Sequence, residues 1–146
     1  MTIYIFLEQQ YFVEMSTDSE IHQLETSSAT LFDKYGGVQI VVKLVRDFQA
    51  EVLQRPHLAH YFQGLDLARI TEHSILYLSF ALGKPAKVYM TREMHDLHSK
   101  FHIKGFHFDE ISDVLKDTLL ADGFSKADVE IVMTHIDTVR DVIVYK

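Results

Sequence analysis

Nine histidines in 146 residues, with no cysteine at all, are where the chemistry of this chain has to be sought. Without thiolates, any metal must be held by imidazole nitrogen or carboxylate oxygen; a disulfide framework, an iron–sulfur cluster and a cysteine nucleophile are excluded. Spacing sorts the histidines. His73 stands with Ile70, Ser74 and Tyr77, and His98 with Met94, Leu97 and Phe101, mostly at intervals of three and four residues. Residues so spaced share one helix face, so each imidazole points where its apolar neighbours point. For a single such histidine the plainer reading is a core-edge ring satisfied by backbone or water. Two of them on separate helices, each on a largely apolar stripe, point to a large apolar cofactor with a central metal held between them.

Other metal sites fail on spacing. None of the nine glutamates is followed by His three residues on, which removes the carboxylate-bridged di-iron pattern, and His-Glu-x-x-His is absent. His95, His98 and His102 could meet on one helix and take a metal adventitiously, but no further acid completes a specific site. His57 and His60 belong to a short solvated helix. His22, His107 and His135 carry no motif and are expected at surface or satisfied packing positions.

The elements that must position these residues are helical. Val41, Leu44, Val45, Phe48 and Val52 repeat at helix spacing after Gly36 and Gly37, and this helix must stop before Pro56. A short helical turn is expected over Leu58 to Phe62. A helix from Asp66 carries His73 and ends at Gly83, with Pro85 beyond it. Another holds Met94, Leu97, His98 and Phe101. A fifth runs from Phe106 through Leu119 and closes near Gly123, and a last one begins at Ser125 and is lined by Val129, Val132, Met133, Ile136, Val139 and Ile143. No strand alternation occurs, so the fold class is all-α. Residues 16–30 are polar, with only Ile21 and Leu24 to pack, and read as a linker or a loosely attached helix. Residues 1–30 are therefore expected as an N-terminal extension, helical or disordered, and 31–146 as the folded domain.

A net charge of -7 without a basic stripe argues against nucleic acid as a partner. No apolar run approaches the ~20 residues of a membrane helix. The first stretch lacks the basic start of a signal peptide, so a cytoplasmic protein is expected, with a monomer as the default state.

Several segments then fall into one order: Leu31, Phe32, Asp33, Lys34, Tyr35, Gly36 and Gly37; Asp47 and Phe48; Leu58 and Phe62; Gly64 to Asp66; Ala81 to Pro85; Met94 to His98; Ile103; and His107 to Asp109. In order and nearly in register, they resemble the truncated haemoglobins of the first group, over about Leu31 to Val144. The resemblance implies a shortened globin, two helix pairs stacked around haem b, that binds dioxygen, nitric oxide and carbon monoxide. Turnover of nitric oxide to nitrate with a reductase partner is a further implication.

Matching the family's Met-x-x-x-His segment makes His98 the proximal iron ligand. Phe62 matches the aromatic that stacks on the haem, and Phe48, Tyr77, Met94, Ile103 and Phe108 become apolar wall. Tyr89, Arg92 and Lys100 are candidates to meet the propionates. On the distal side this chain departs from the family: Gln49 stands where Tyr is usual, Ser74 replaces a frequent Gln, and Ile70 lies one turn earlier. Gln49 can still donate to a bound ligand. His73 matches a position that in some members binds iron as a sixth ligand, so bis-His coordination by His73 and His98 is expected without external ligand. The alternative function is then bis-His electron transfer or redox and gas sensing. Ser99, Lys100 and His102 replace the glycines that usually follow the proximal His, so a differently built proximal loop is expected. Thr138 stands where some relatives attach haem covalently.

Overall fold

The computed structural model describes residues 29–84 and 90–146, the side chains of 90–93 excepted. Nearly all of the expected N-terminal extension, together with Pro85 and Tyr89, lies outside the described residues. No strand occurs among those described, and the fold is all-α.

The short helix α1 (Leu31–Lys34) is capped by the Thr30 hydroxyl, which accepts from the Asp33 N–H at 3.1 Å. Gly36 and Gly37 follow at φ of 116° and 71°, a region closed to most side chains, and there the chain reverses into α2 (Val38–Leu53). Arg55 is extended, as the residue before a proline must be, and Pro56 opens α3 (Pro56–Ala59). A 3-10 turn, His60–Phe62, follows. Asp66 then caps α4 (Leu67–Ala81), its carboxylate accepting from the N–H groups of Ala68 and Arg69. The remaining helices are α5 (Met90–His98), α6 (Gly105–Ala121), α7 (Lys126–Thr138) and α8 (Arg140–Ile143).

Helix α2 packs against both α4 and α6, and α6 against α7. Val41, Leu44 and Val45 of α2 meet Leu78, Leu115, Leu119, Val129 and Val132 in the main core. A smaller cluster of Val52, Leu58 and Val114 closes the far end of α2. The Asp128 carboxylate ties α1 to α7, accepting from Lys34 Nζ at 2.7 Å and from the Tyr35 hydroxyl, while the Tyr35 ring stacks on Phe124. The Ser125 hydroxyl caps α7, accepting from the Asp128 N–H at 3.2 Å.

Two helices end earlier than their apolar spacing suggests. The stripe from Met94 to Phe101 continues past His98, yet α5 stops there and Ser99–Phe101 form a 3-10 turn. His102 then turns left-handed at φ 49°, its ring tilted against that of Tyr145 with centroids 4.0 Å apart, and Tyr145 N–H donates to Ile103 O. Tyr145 thus braces the segment after α5, which has no glycine. Likewise α7 breaks at Val139, and α8 turns so that Arg140 can reach Asp109.

Candidate functional site

Between α4 on one side and α5 with its following turn on the other lies a cavity of about 550 Å³, within the range of ligand pockets. Its walls are mostly apolar, with Phe48 and Val52 from α2, Phe62 from the 3-10 turn, and Phe108, Ile111 and Leu115 from α6. Every expected site residue whose side chain is described lines it: Phe48, Gln49, Phe62, Ile70, His73, Ser74, Tyr77, Met94, His98, Lys100, Ile103 and Phe108. Tyr89 and the side chain of Arg92 lie outside the description. Leu53, Leu67 and Leu97, three of the large apolar side chains left exposed, also line this cavity. An apolar occupant would cover them.

His98 is held in one state. Its Nδ1 lies 2.6 Å from Met94 O, one turn back in α5. A carbonyl only accepts, so the neutral ring carries its proton on Nδ1 and leaves the Nε2 lone pair without a partner. Burial pushes the His98 pKa down, partly offset by the Met94 bond, and the nearby His73 lowers it further. A neutral imidazole with a bare lone pair is what a metal ligand requires.

His73 lines the same cavity from α4, close enough for its charge to act on His98, and its ring has no hydrogen-bond partner among the described residues. Around it the polar groups divide by whether they have a hydrogen to give. Ser74 donates to Ile70 O at 2.8 Å, so its single hydroxyl hydrogen is spent on its own helix. One end of the Gln49 amide lies 2.9 Å from the Thr71 hydroxyl, and the other end is buried without a partner. The Tyr77 hydroxyl is also buried without a partner, and burial pushes its pKa up to about 12.

The donor set fits a haem. One imidazole has its lone pair without a partner among the described residues, and the walls of the cavity it lines are mostly apolar. Lys100 at the rim is exposed, with Nζ 5.2 Å from the Phe101 ring centroid. Arg69 and Thr71 were not legible as site residues. Arg69 is a surface position one residue off the stripe, and Thr71 reaches the site only through Gln49.

The remaining histidines lie elsewhere. His57 is exposed and bonds Glu110, and His60 bonds the His57 carbonyl. His107 pairs with the Tyr61 hydroxyl at 2.6 Å. His135 packs edge-on to Phe80, and burial pushes its pKa down. Among the described residues no group of three or more His, Asp or Glu could hold a metal ion, so the His95, His98 and His102 site does not form. No described helix is long and apolar enough to cross a membrane.

A helical sandwich closed around one apolar cavity, with an imidazole presented to it by its own helix turn, defines the globin class of haem protein. Comparison with known proteins narrows this. The bacterial-like globin family matches residues 30–145. The group 1 truncated haemoglobin GlbN of Synechocystis sp. is 32% identical over 94 residues, covering 62% of this chain and 76% of that protein. The group 1 truncated haemoglobin of Tetrahymena pyriformis is 29% identical over 98 residues, covering 67% and 80%. The crystal structure of truncated haemoglobin from Tetrahymena pyriformis in its Fe(III) form superposes with a TM-score of 0.70 at 25% identity, covering 81% of this chain and all of that one. The 2/2 haemoglobin of a Synechococcus species, solved in the cyanomet state with covalently attached haem, gives 0.68 at 26% identity, covering 79% and 98%. The chain belongs to the bacterial-like globins, as a truncated haemoglobin of the first group.

Proposed function

We propose that this globin holds haem b in the cavity between α4 and α5 with His98 as the proximal ligand, and reversibly binds dioxygen, nitric oxide and carbon monoxide on the opposite face. When bound, the haem supplies a ferrous iron that takes the gas. This chain's residues do the rest. The Met94 carbonyl orients His98, and Phe48, Phe62, Met94, Ile103 and Phe108 keep water out. Lys100, with Tyr89 and Arg92, would meet the propionates, and Arg69 at the α4 rim joins them as a candidate. Nitric oxide, dioxygen and one electron give nitrate, so turnover of that kind needs a reductase. A cytoplasmic monomer is the proposed setting.

The observation that carries this reading is the His98 ring, its Nδ1 tied to Met94 O and its Nε2 bare at an apolar cavity. One further observation supports a second reading, bis-His electron transfer or redox and gas sensing. The His73 ring, unpartnered, lies within electrostatic reach of His98. In that case His73 would be a second imidazole holding the haem when no gas is bound, and a gas would have to compete with it.

Absorption spectra of the ferric and ferrous protein test both. A low-spin spectrum that becomes high-spin in His73→Ala supports bis-His coordination. A high-spin ferric spectrum at neutral pH, unchanged in His73→Ala, refutes it and leaves the gas-binding reading alone.

A further inference from the structure

Three histidines that do not line the cavity converge behind one of its walls. His57 and His60 come from α3 and the 3-10 turn after it, and His107 from the first turn of α6; the His107 ring lies 5.8 Å from that of His57 and 6.2 Å from that of His60, centroid to centroid. Tyr61 and Phe62, from the same 3-10 turn, both line the cavity. The Tyr61 hydroxyl is tied to α6 twice: it accepts from the Lys104 N–H at 3.5 Å and lies 2.6 Å from His107 Nδ1. A backbone N–H only donates, so the single hydrogen of the hydroxyl is left for His107, and every hydrogen is used when the neutral imidazole accepts it on Nδ1.

An imidazolium carries a hydrogen on each nitrogen and accepts nothing, so charging His107 removes the acceptor of the Tyr61 hydrogen. The setting resists that charge. The first turn of α6 is the positive end of the helix dipole. Lys104, His57 and His60 face the ring, the acid that acts on it, Glu110, is already bonded to Arg55 and His57, and Asp109 is bonded to Arg140. Desolvation first, then His57, His60 and Lys104, lower the His107 pKa below the ordinary 6.5, with Glu110 opposing them. With Tyr61 released from α6 the imidazole faces water and titrates nearer its ordinary value. The open form therefore takes up a proton first, and the closed form loses ground as pH falls through 6.5.

We propose that Tyr61 and His107 form an acid-released latch on the haem cavity, the neutral imidazole holding the Tyr61 and Phe62 wall against α6 and the charged one letting it go, so that haem is lost faster in mild acid. The latch rests on the reading that haem fills this cavity.

The test is transfer of ferric haem from the loaded protein to excess haem-free myoglobin, followed by absorption from about pH 7.5 to 5.5. Acid also weakens haem attachment elsewhere in the cavity, so a variant that cannot charge at position 107 supplies the reference. His107→Asn keeps an acceptor for the Tyr61 hydrogen and takes no charge. It holds haem as the native protein does at pH 7.5, and across the window the native rate rises about five-fold more than the His107→Asn rate, the loss of one ordinary hydrogen bond. Tyr61→Phe loses haem about five-fold faster than native at pH 7.5 and gains no more from acid than His107→Asn does. Parallel pH profiles for native and His107→Asn overturn the proposal, as does a native rate in Tyr61→Phe at pH 7.5. In the haem-free chain, titration followed by nuclear magnetic resonance puts the His107 midpoint below 6.5, and Tyr61→Phe raises it because the neutral ring loses its donor. A midpoint indifferent to Tyr61→Phe also overturns the latch. Failure of the haem reading looks different: no haem spectrum forms and nothing is transferred, while the His107 titration still reports the bond to Tyr61.

Discussion

Tyr77→Phe should make this protein more stable. The Tyr77 hydroxyl is buried against the cavity with no partner, and a buried hydroxyl left unbonded costs about 1–3 kcal/mol. Phenylalanine keeps the ring contacts with Phe80 and His135 and removes only the oxygen, so no cavity of consequence replaces it. Because Tyr77 as a whole residue is only half-buried, the low end applies, about 1 kcal/mol. Unfolding entropy of roughly 2.1 cal/mol/K per residue over about 115 residues converts that to a rise of about 4 °C in Tm. Thermal unfolding of the haem-free protein at pH 7, followed by circular dichroism, is the assay. The same hydroxyl gives an alkaline signature. Its folded pKa, near 12, lies above the ordinary 10.0 because burial penalises the phenolate, so the unfolded chain ionises first and the stability of the fold falls as pH rises from 10 to 12. The native protein should therefore lose stability more steeply across that window than Tyr77→Phe does. A Tm unchanged or lowered by Tyr77→Phe, with parallel alkaline limbs, means the hydroxyl has a partner and refutes the reasoning.

Two predictions concern the scaffold. The Asp128 carboxylate has its pKa lowered by the Lys34 bond first and Tyr35 second, so the stability it contributes is present above 3.8 and lost as pH falls through the lower folded value. Asp128→Asn should flatten the acid limb of stability below pH 4, and an unchanged limb would show the tie between α1 and α7 to be idle. Gly83 sits at φ 104°, where an added Cβ would come 3.1 Å from Thr30 Cβ. Gly83→Ala should destabilise by about 1–3 kcal/mol in denaturant unfolding, whereas a neutral result would mean that the α1 start moves aside freely.

The helical order and the two histidines of one cavity were legible because amphipathic spacing depends only on local sequence; α2, α6 and α7 bury most of the stripe it marks, while α4 buries only Leu78 and Ala81 of its own and lines the cavity with the rest. Where α5 and α7 end was not. Apolar spacing runs on through Phe101 and Val139, but contacts from distant residues, Tyr145 on His102 and Asp109 on Arg140, decide the breaks. The chemistry of the α2 and α4 wall of the cavity was legible as residue types and not as hydrogen bonding. Tyr77 reads as wall from its stripe, yet its orphaned hydroxyl emerges only from packing. Thr71 carries no signal of its own, because its hydrogen bond with Gln49 joins residues 22 apart in sequence, on α4 and α2.

The central claim is that His98 holds the haem, and the absorption spectrum of His98→Gly, recorded with and without added imidazole, tests it most directly. The account predicts that His98→Gly loses the native spectrum and that free imidazole restores it by filling the emptied position. A His98→Gly protein that keeps haem with the native spectrum and ignores imidazole would contradict it.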